Sequence, residues 1–196
     1  MERVSEGAEA IMFEIKLSGN PLLVKVRNRK SWRIANIDEE LRKSRTRKEA
    51  KLMIMAKKAG AAVPGVAAIG KYSIFMQKID GKLLKDSKPT AKEMQTIGRY
   101  LGYMHAKGIT HGDFTSANLM LTTNGPYIID FGLGNFSNSE EEKALDLLLL
   151  ERSISKDDYA NARKGYASVS KEYLTVISRL NEIKKRGRYQ TRTLLS

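Results

Sequence analysis

The sequence contains no cysteine, which excludes disulfide bonds and metal sites built on thiolates and is typical of proteins from a reducing cytoplasm. It also has no long apolar run. The longest aliphatic stretch covers residues 147–150, whereas a helix that spans a bilayer needs about 20 residues. The N-terminal letters MERVSEGAEA lack the apolar core of a signal peptide. We therefore expect a cytoplasmic protein that makes no membrane contact.

Acidic residues are outnumbered, because 22 aspartates and glutamates stand against 35 lysines and arginines, for a net charge of +13. This surplus attracts polyanions. Nucleic acid is the natural candidate, with general solubility or an acidic protein partner as the alternatives. The length of 196 residues, of which 41% are hydrophobic, suits one domain or two small lobes that share an interface.

The most informative stretch covers residues 111–134 and consists of the letters HGDFTSANLMLTTNGPYIIDFGLG. Two short apolar runs flank the dipeptide Asn124-Gly125, which favours a tight hairpin turn. Closing this hairpin would bring Asn118 beside Asp130. Amide and carboxylate oxygens are hard ligands that suit Mg²⁺, with water and substrate phosphates completing its octahedron.

Asp113 lies on the loop before the hairpin, where its carboxylate could accept a proton from an attacking hydroxyl or water, or orient it. The pattern His-x-Asp-x-x-x-x-Asn, followed by Asp-Phe-Gly, resembles the catalytic and metal-binding loops of the protein-kinase superfamily. Asp-Phe-Gly alone is a weak signal, whereas both motifs in order and joined by a hairpin are specific. The plainer alternative places His111 and Asp113 in ordinary loop hydrogen bonds and makes Asp130 a turn cap. It leaves the residue types and their spacing unexplained.

The first part of the chain predicts a small antiparallel sheet that covers a nucleotide. Alternating apolar residues indicate strands over residues 11–17 and 22–26, and Lys25 lies inside the second strand. In the kinase family a lysine at this place holds the α- and β-phosphates, and the alternative is a lysine on a wet sheet face. Gly7 and Ala8 belong to a small-residue loop whose backbone N–H groups could face phosphate oxygens.

A helix is predicted over residues 38–58, because this stretch lacks proline and glycine and is rich in helix formers. Gly60 is its expected C-cap. The kinase pattern pairs a glutamate of this helix with the strand lysine, and Glu49 is the best candidate. A surface ion pair between Glu49 and Arg45 is the alternative.

Two further strands, over residues 66–69 and 72–76, complete the predicted sheet. The chain then crosses to the helical part through a segment that corresponds to the kinase hinge. Backbone groups of Gln77 and Ile79 would meet the edge of the adenine there.

The second half of the chain predicts helices and a shortened catalytic face. Thr90 and Glu93 form a capping-box pattern at the start of one helix, and Ser139 is the expected N-cap of another. Asp146 in that second helix is either solvated or supports the catalytic loop from below, and both interpretations stay open. Only residues 133–138 separate Asp-Phe-Gly from Ser139, so the peptide-docking activation segment of ordinary kinases is missing.

The kinase signature, the missing activation segment, the small size and the basic C-terminal segment resemble one family, the small atypical kinase subunit of the KEOPS complex. This PRPK-type subunit is a relative of the RIO kinases. The resemblance implies an α+β, two-lobed protein-kinase-like fold. An antiparallel β-sheet N-lobe would cover residues 1–78, a mainly helical C-lobe residues 79–185, and a basic tail residues 186–196.

The same resemblance implies ATP and Mg²⁺ as cofactors, and an ATPase that supports threonylcarbamoylation of adenosine in tRNA. A partner threonylcarbamoyl transferase subunit would carry out the modification, and other KEOPS subunits would complete the assembly. In some archaea the kinase and the transferase are fused, so the chain could be part of a longer protein.

Individual roles follow from the resemblance in the same way. Lys25 and Asp113 would be the catalytic residues, with Glu49 helping Lys25 to position phosphates. Asn118 and Asp130 would hold Mg²⁺. A frayed and solvated terminus is the alternative to RNA binding by the tail. The tail residues expected to contact RNA phosphates and bases are Arg186, Arg188, Tyr189 and Arg192.

Three other functions are compatible with parts of the pattern. A small-molecule phosphotransferase of the aminoglycoside type shares His-Gly-Asp and Asp-Phe. The roughly 60 residues after the metal loop leave little room for its substrate-binding subdomain. A conventional Ser/Thr protein kinase would lack its docking segment. A nucleotide-binding scaffold that grips RNA and partner subunits without essential catalysis is the non-enzymatic alternative.

Overall fold

The first part of the protein is a five-stranded antiparallel sheet with the strand order β1-β2-β3-β5-β4. The computed structural model describes residues 2–7, 9–17 and 19–193, with the side chains of the last helix described as far as Arg186. The four strands predicted from alternation are confirmed to within two residues at each end. The strands are β1 (Glu2–Glu6), β2 (Ala10–Leu17), β3 (Asn20–Arg27), β4 (Val66–Ile69) and β5 (Ser73–Gln77).

Alternation along β3 explains how this sheet presents charged groups to the rest of the protein. Leu23, Lys25 and Arg27 occupy alternate positions and therefore share one face of the sheet. All three line cavities next to that face. Lys25 is paired in register with Met12 on β2 and with Ile74 on β5, so it lies at the centre of the sheet.

A long helix, α1 (Ala35–Ala59), follows β3 and begins three residues before its predicted start. It ends as predicted at Gly60, whose φ of 104° lies in the left-handed region that favours glycine. The buried side of α1 places Glu49 among apolar residues such as Leu52 and Met53. A carboxylate in such a place is stable only with a charged or hydrogen-bonding partner.

The second part of the protein is mainly helical, and two of its helices pack backbone against backbone. The helices are α2 (Ala91–Ala106), α3 (Glu140–Ser153), α4 (Lys156–Ala167) and α5 (Tyr173–Thr193). A Cβ atom on Gly98 of α2 would lie 1.9 Å from the carbonyl oxygen of Ala162 on α4. One on Gly165 of α4 would lie 1.9 Å from the carbonyl oxygen of Gln95 on α2. The close approach of the two helices therefore depends on glycine at both positions.

Short strands connect these helices and carry the loops of the site. They are β6 (Lys82–Leu83), β7 (Ile109–Thr110), β8 (Leu119–Thr122), β9 (Gly125–Ile128) and β10 (Asn135–Phe136). The predicted hairpin is confirmed, because β8 pairs with β9 in register from Leu119–Ile128 to Thr122–Gly125. Its turn uses Gly125 at a φ of 110°. β6 extends this hairpin to three strands, and β10 pairs with β7.

Both predicted helix starts are confirmed by their caps. Thr90 and Glu93 form a reciprocal capping box at the start of α2, and the side chain of Ser139 accepts the N–H of Glu142 at the start of α3. The predicted α+β class, with an antiparallel sheet followed by helices, is therefore confirmed. None of the helices in the described part of the chain combines the length and apolarity needed to cross a bilayer.

Candidate nucleotide site

Lys25 and Glu49 meet between β3 and α1. Nζ of Lys25 donates to Oε1 of Glu49 at 2.7 Å and to Oδ1 of Asp130 at 2.6 Å. Glu49 is only 2% exposed, so its charge is held inside the protein by its partners. The alternative pair with Arg45 is absent from this arrangement, since Arg45 donates to Glu9 at 2.9 Å instead.

The catalytic loop is supported from below by Asp146 of α3. Its Oδ1 accepts the N–H of Gly112 at 2.8 Å, and its Oδ2 accepts the N–H of His111 at 2.7 Å. Oδ2 also lies 3.1 Å from Nε2 of His105. Asp146 is fully buried, so the supporting role is the correct one of the two interpretations left open by the sequence. Gly112 has a φ of 75°, and a Cβ there would lie 2.4 Å from the carbonyl oxygen of Leu133.

His111 is a structural residue of this loop. Its Nδ1 accepts the N–H of Asp113 at 3.3 Å, so its proton resides on Nε2, which donates to the carbonyl of Ile129 at 3.1 Å. Its ring packs against Phe114 and Phe131. Burial lowers the pKa of His111 from its ordinary value of 6.5, despite opposing attraction from acidic neighbours that include Asp146. The neutral ring of His111 joins the catalytic loop to Ile129, the residue before Asp130, and so orients both Asp113 and Asp130.

Asn118 is held by the loop acid that precedes it. Its amide nitrogen donates to Oδ2 of Asp113 at 2.8 Å and to the carbonyl of Asp113 at 2.9 Å. The N–H of Ile129 donates to the carbonyl of Asn118 at 3.0 Å and ties the two ends of the hairpin together. Because the amide nitrogen is engaged, the side-chain oxygen of Asn118 is the atom left to bind a cation.

Asp130 has an unusual backbone. Its φ is 58°, and no other non-glycine residue in the described part of the chain has a positive φ. Such a conformation is mildly strained and is typical of functional positions. Burial raises the pKa of Asp130, but attraction from Lys25 and the hydrogen bond from the Gly132 N–H prevail, so the pKa lies below its ordinary value of 3.8. The side chain is 52% exposed and ionised at neutral pH.

Two cavities border these residues and share Ser5, Met12, Lys25 and Asp130 as lining. The smaller has a volume of about 250 Å³ and the larger about 490 Å³. A flat apolar base suits the smaller cavity, and a phosphate chain suits the larger, more charged one. The apolar residues of the smaller cavity include Met12, Leu23, Met53, Met76, Met120 and Ile129. The charged residues of the larger cavity are Glu9, Lys25, Arg27, Arg45, Asp113 and Asp130.

The predicted adenine-binding groups lie at the smaller cavity, with one restriction. Gln77 and Ile79 both line it. The N–H of Gln77 donates to the carbonyl of Gly65 at 2.8 Å and is therefore used within the protein. A base in this cavity would therefore meet other backbone groups of the segment, such as those of Ile79.

The predicted phosphate loop is placed at the larger cavity through Gly7, which lines it. The N–H of Gly7 donates to the carbonyl of Ala10 at 2.9 Å and closes the turn, so it is not directed at a ligand. Ala8 lies outside the described residues.

The donor set fits Mg²⁺. Asn118 and Asp130 both line the smaller cavity and would supply oxygen ligands only, leaving most of the coordination sphere to phosphates and water. Among the described residues no group of three or more histidine, cysteine or acidic side chains could hold a metal alone.

Residues 24–156 match the family model described as the RIO domain. The chain belongs to the RIO-domain family. It is 33% identical to the KEOPS complex subunit Bud32 of Pyrococcus abyssi over the full length of both chains. It is 35% identical to a probable bifunctional tRNA threonylcarbamoyladenosine biosynthesis protein of Methanothermobacter thermautotrophicus, over 95% of this chain but 36% of that protein. The chain thus spans about a third of the bifunctional relatives that it matches.

The fold of this RIO-domain protein is that of the kinases. It superposes on the Rio2 kinase of Chaetomium thermophilum, in an ADP/Mg²⁺-phosphoaspartate complex, with a TM-score of 0.63 and 16% sequence identity. The match covers 97% of this chain and 72% of the kinase. The kinase-like fold and the resemblance to the RIO-related KEOPS subunit, both predicted from the sequence, are confirmed.

The predicted RNA-binding residues lie on the last helix of this RIO-domain protein. α5 continues through the tail as far as Thr193, so the described part of the tail extends the helix. Arg186 is exposed and donates to Glu141 of α3 at 3.2 Å. The side chains of Arg188, Tyr189 and Arg192 lie outside the described ones, and their role stays a prediction.

Sequence patterns missed three charged residues of the larger cavity, since Glu9 and Arg45 also line it, and the most buried of the three is Arg27. It is buried beside Glu49 and lines the larger cavity. The signal was present, because Arg27 lies two residues after Lys25 on a strand and therefore on the same face.

Proposed function

We propose that this RIO-domain protein binds Mg-ATP and transfers the γ-phosphate to water, as the ATPase subunit that supports threonylcarbamoyladenosine formation in tRNA by a partner transferase. This function is supported most directly by the meeting of five side chains at two joined cavities. They are Lys25, Glu49, Asp113, Asn118 and Asp130. Those groups are the minimum that phosphoryl transfer from a nucleotide requires.

Each side chain has a role in the proposed reaction. Lys25, held by Glu49, would bind the α- and β-phosphates and fix the direction of the phosphate chain. Asn118 and Asp130 would hold Mg²⁺, which supplies neutralisation of phosphate charge when bound. Asp113 would orient the attacking water and accept its proton as the new P–O bond forms. The bond to the β,γ-bridging oxygen breaks, and ADP leaves.

The short connection after Asp-Phe-Gly favours water over a protein as the acceptor. α3 begins at Glu140, so residues 133–139 are the only link between the metal loop and this helix. This length leaves no room for the segment on which ordinary kinases dock peptides. Phosphorylation of a serine or threonine remains chemically equivalent, since a hydroxyl would occupy the place of the water.

The names of the relatives and the charge of the chain support the tRNA part of the proposal. One relative is a KEOPS complex subunit and another a tRNA threonylcarbamoyladenosine biosynthesis protein. A net charge of +13 suits a cytoplasmic protein that contacts tRNA, and the basic tail would reach it. The transferase and the other KEOPS subunits would be its protein partners.

The decisive experiment follows the label of γ-labelled ATP with Mg²⁺, with and without the transferase and tRNA. We expect inorganic phosphate as the product, a rate that rises with both partners, and a loss of about 10²-fold or more in Asp113→Asn. Asp157→Asn, an exposed acid on α4, is the matched control and should keep the wild-type rate.

Other outcomes point to other functions. Label that stays on protein in the full complex would make the chain a protein kinase. Intact tRNA modification with Asp113→Asn, together with no turnover of ATP, would leave a nucleotide-binding scaffold. Activity toward sugars, choline or aminoglycosides would support a small-molecule phosphotransferase.

A further inference from the structure

Arg27 is a buried cation at the edge of the nucleotide site. It ends β3, two residues after Lys25, and its side chain is only 5% exposed. It lines the larger cavity together with Lys25 and Arg45. A Cβ on Gly132 would lie 3.6 Å from Nζ of Lys25 and 3.9 Å from Nη2 of Arg27, so both cations border the metal loop.

One carboxylate serves both cations. Oε1 of Glu49 accepts from Lys25 at 2.7 Å, and Oε2 accepts from Nη2 of Arg27 at 2.5 Å. The cluster of Lys25, Arg27 and Glu49 therefore carries a net charge of +1, whereas a simple lysine–glutamate pair would be neutral. Asp130 balances this charge through Lys25, but Asp130 is also the candidate Mg²⁺ ligand. Binding a cation there would leave the positive charge of the cluster for a phosphate.

The remaining contacts of Arg27 do not use all of its hydrogen-bonding groups. Its Nη1 lies 3.9 Å from Oε2 of Glu9, a half-exposed acid that also accepts from Arg45. Its Nε is buried and has no hydrogen-bond partner among the described residues. A buried guanidinium N–H without an acceptor is costly, so a small turn of the Arg27 side chain that brings Nε to a phosphate oxygen in the larger cavity would be favourable.

The position of Arg27 relative to Lys25 indicates which phosphate of a bound nucleotide Arg27 would contact. Lys25 lines both cavities, whereas Arg27 lines only the larger, charged one. With the base in the smaller cavity, a phosphate chain runs past Lys25 before it reaches Arg27. We propose that Arg27 positions the terminal phosphate of a nucleoside triphosphate and gives the site its preference for triphosphate over diphosphate. This inference rests on the proposed nucleotide-binding function.

The test compares three ligands, adenosine, ADP and the non-hydrolysable β,γ-imido analogue of ATP, by calorimetry with Mg²⁺. Arg27→Lys keeps the charge beside Glu49 but removes the fork and its Nε. We expect it to weaken binding of the triphosphate analogue about tenfold, ADP about twofold or less, and adenosine not at all. Arg29→Lys is the matched control, since Arg29 is exposed and outside both cavities, and it should leave all three affinities unchanged.

The ratio of triphosphate to diphosphate affinity separates positioning from a structural role. If Arg27 only anchors Glu49, Arg27→Lys changes all three affinities together, and an unchanged ratio overturns the inference. A wild-type protein that binds no adenine nucleotide overturns the proposed function as well. Wild-type binding with an unaltered ratio in the variant overturns the inference alone.

A second measurement needs no variant and stands even if substitutions at Arg27 prevent folding. The arginine Nε–H resonance of Arg27 in the wild-type protein, assigned by nuclear magnetic resonance, should shift when the triphosphate analogue is added. ADP should shift it much less, because the terminal phosphate is absent. Equal responses to both nucleotides contradict the proposal.

Discussion

A single buried carboxylate determines the shape of the catalytic loop. Asp146 accepts the N–H groups of two consecutive residues, His111 and Gly112, and so holds the loop by its backbone. The turn that results requires a left-handed backbone at Gly112 and leaves Asp113 free to bond Asn118 through its carboxylate. A carboxylate that lines neither cavity thereby decides where the proposed catalytic acid points.

The lowered pKa of His111 predicts a pH dependence of stability. In the unfolded chain the His111 side chain becomes protonated near pH 6.5. In the folded protein it becomes protonated only at the lower pH of its folded-state pKa. The contribution of His111 to stability is therefore complete above pH 6.5 and declines as the pH falls from 6.5 toward the folded-state pKa. Urea unfolding at pH values from about 5 to 8 should show this decline, with a slope of at most about 1.4 kcal/mol per pH unit.

His111→Asn tests the assignment of that slope. The variant should be less stable at every pH, because it loses packing and hydrogen bonds, but its free energy of unfolding should vary less with pH in the same range. A slope equal to that of the wild type would show that another group titrates.

At the scale of elements, the contact between α2 and α4 supports the catalytic loop, which follows α2 directly. Gly98 and Gly165 allow backbone contact there, and the buried Tyr166 of α4 donates or accepts a hydrogen bond with Nδ1 of His105 at 2.9 Å. His105 in turn contacts Asp146. The packing of two helices is thus linked to the position of the loop through three side chains.

Gly98→Ala should destabilise the protein by about 3 kcal/mol, because its Cβ meets the carbonyl of Ala162 at 1.9 Å and the helices must separate. Intrinsic helix propensity acts in the other direction by about 1 kcal/mol. Gly102→Ala on the same helix is the matched control, since its Cβ meets a side-chain methyl group of the partly exposed Val169 and its nearest backbone contact is 3.5 Å away. Urea unfolding should show a clearly larger loss for Gly98→Ala, and equal losses would contradict a backbone origin.

At the scale of the whole molecule, the surplus of basic charge exceeds the needs of the nucleotide site. The larger cavity is lined by three cations, Lys25, Arg27 and Arg45, and by three acids, Glu9, Asp113 and Asp130, so its charges balance. The net charge of +13 therefore arises from the rest of the chain, where it favours association with a polyanion.

Truncation after Lys185 removes the tail that includes Arg186, Arg188 and Arg192. We expect weaker tRNA binding and a flatter dependence of the logarithm of affinity on the logarithm of salt concentration. The slope should change by about 1 for each tRNA phosphate that the tail neutralises in the wild-type complex. Binding titrations at several salt concentrations measure it.

A charge-matched variant separates the tail from charge in general. Replacing the exposed residues Lys82, Lys85 and Lys88 by serine removes the same number of positive charges from another place. We expect a smaller change of slope for this variant than for the truncation. Equal changes in both would mean that tRNA responds to net charge and not to the tail.

Local signals in the sequence predict most of the elements, β1 excepted, and the order of the chemistry along the chain. Strand alternation, the Asn124-Gly125 turn, the Gly60 cap and the capping box at Thr90 are local signals, and each is present in the structure where it was predicted. The spacing of Asp113, Asn118 and Asp130 marked a kinase-like site for the same reason, since loops and short hairpins keep residues that are close in sequence close in space.

Contacts between residues far apart in the chain are set by the packing of the folded protein and could not be predicted from the sequence. Packing buries Asp146 under the catalytic loop and brings Arg27 to Glu49 beside Lys25. Packing also engages the N–H groups of Gly7 and Gln77 within the protein. Burial makes these contacts strong and selective, because a charge or N–H removed from water must find a partner in the fold. A linear pattern specifies which residues are available, and the packed interior specifies which of them meet.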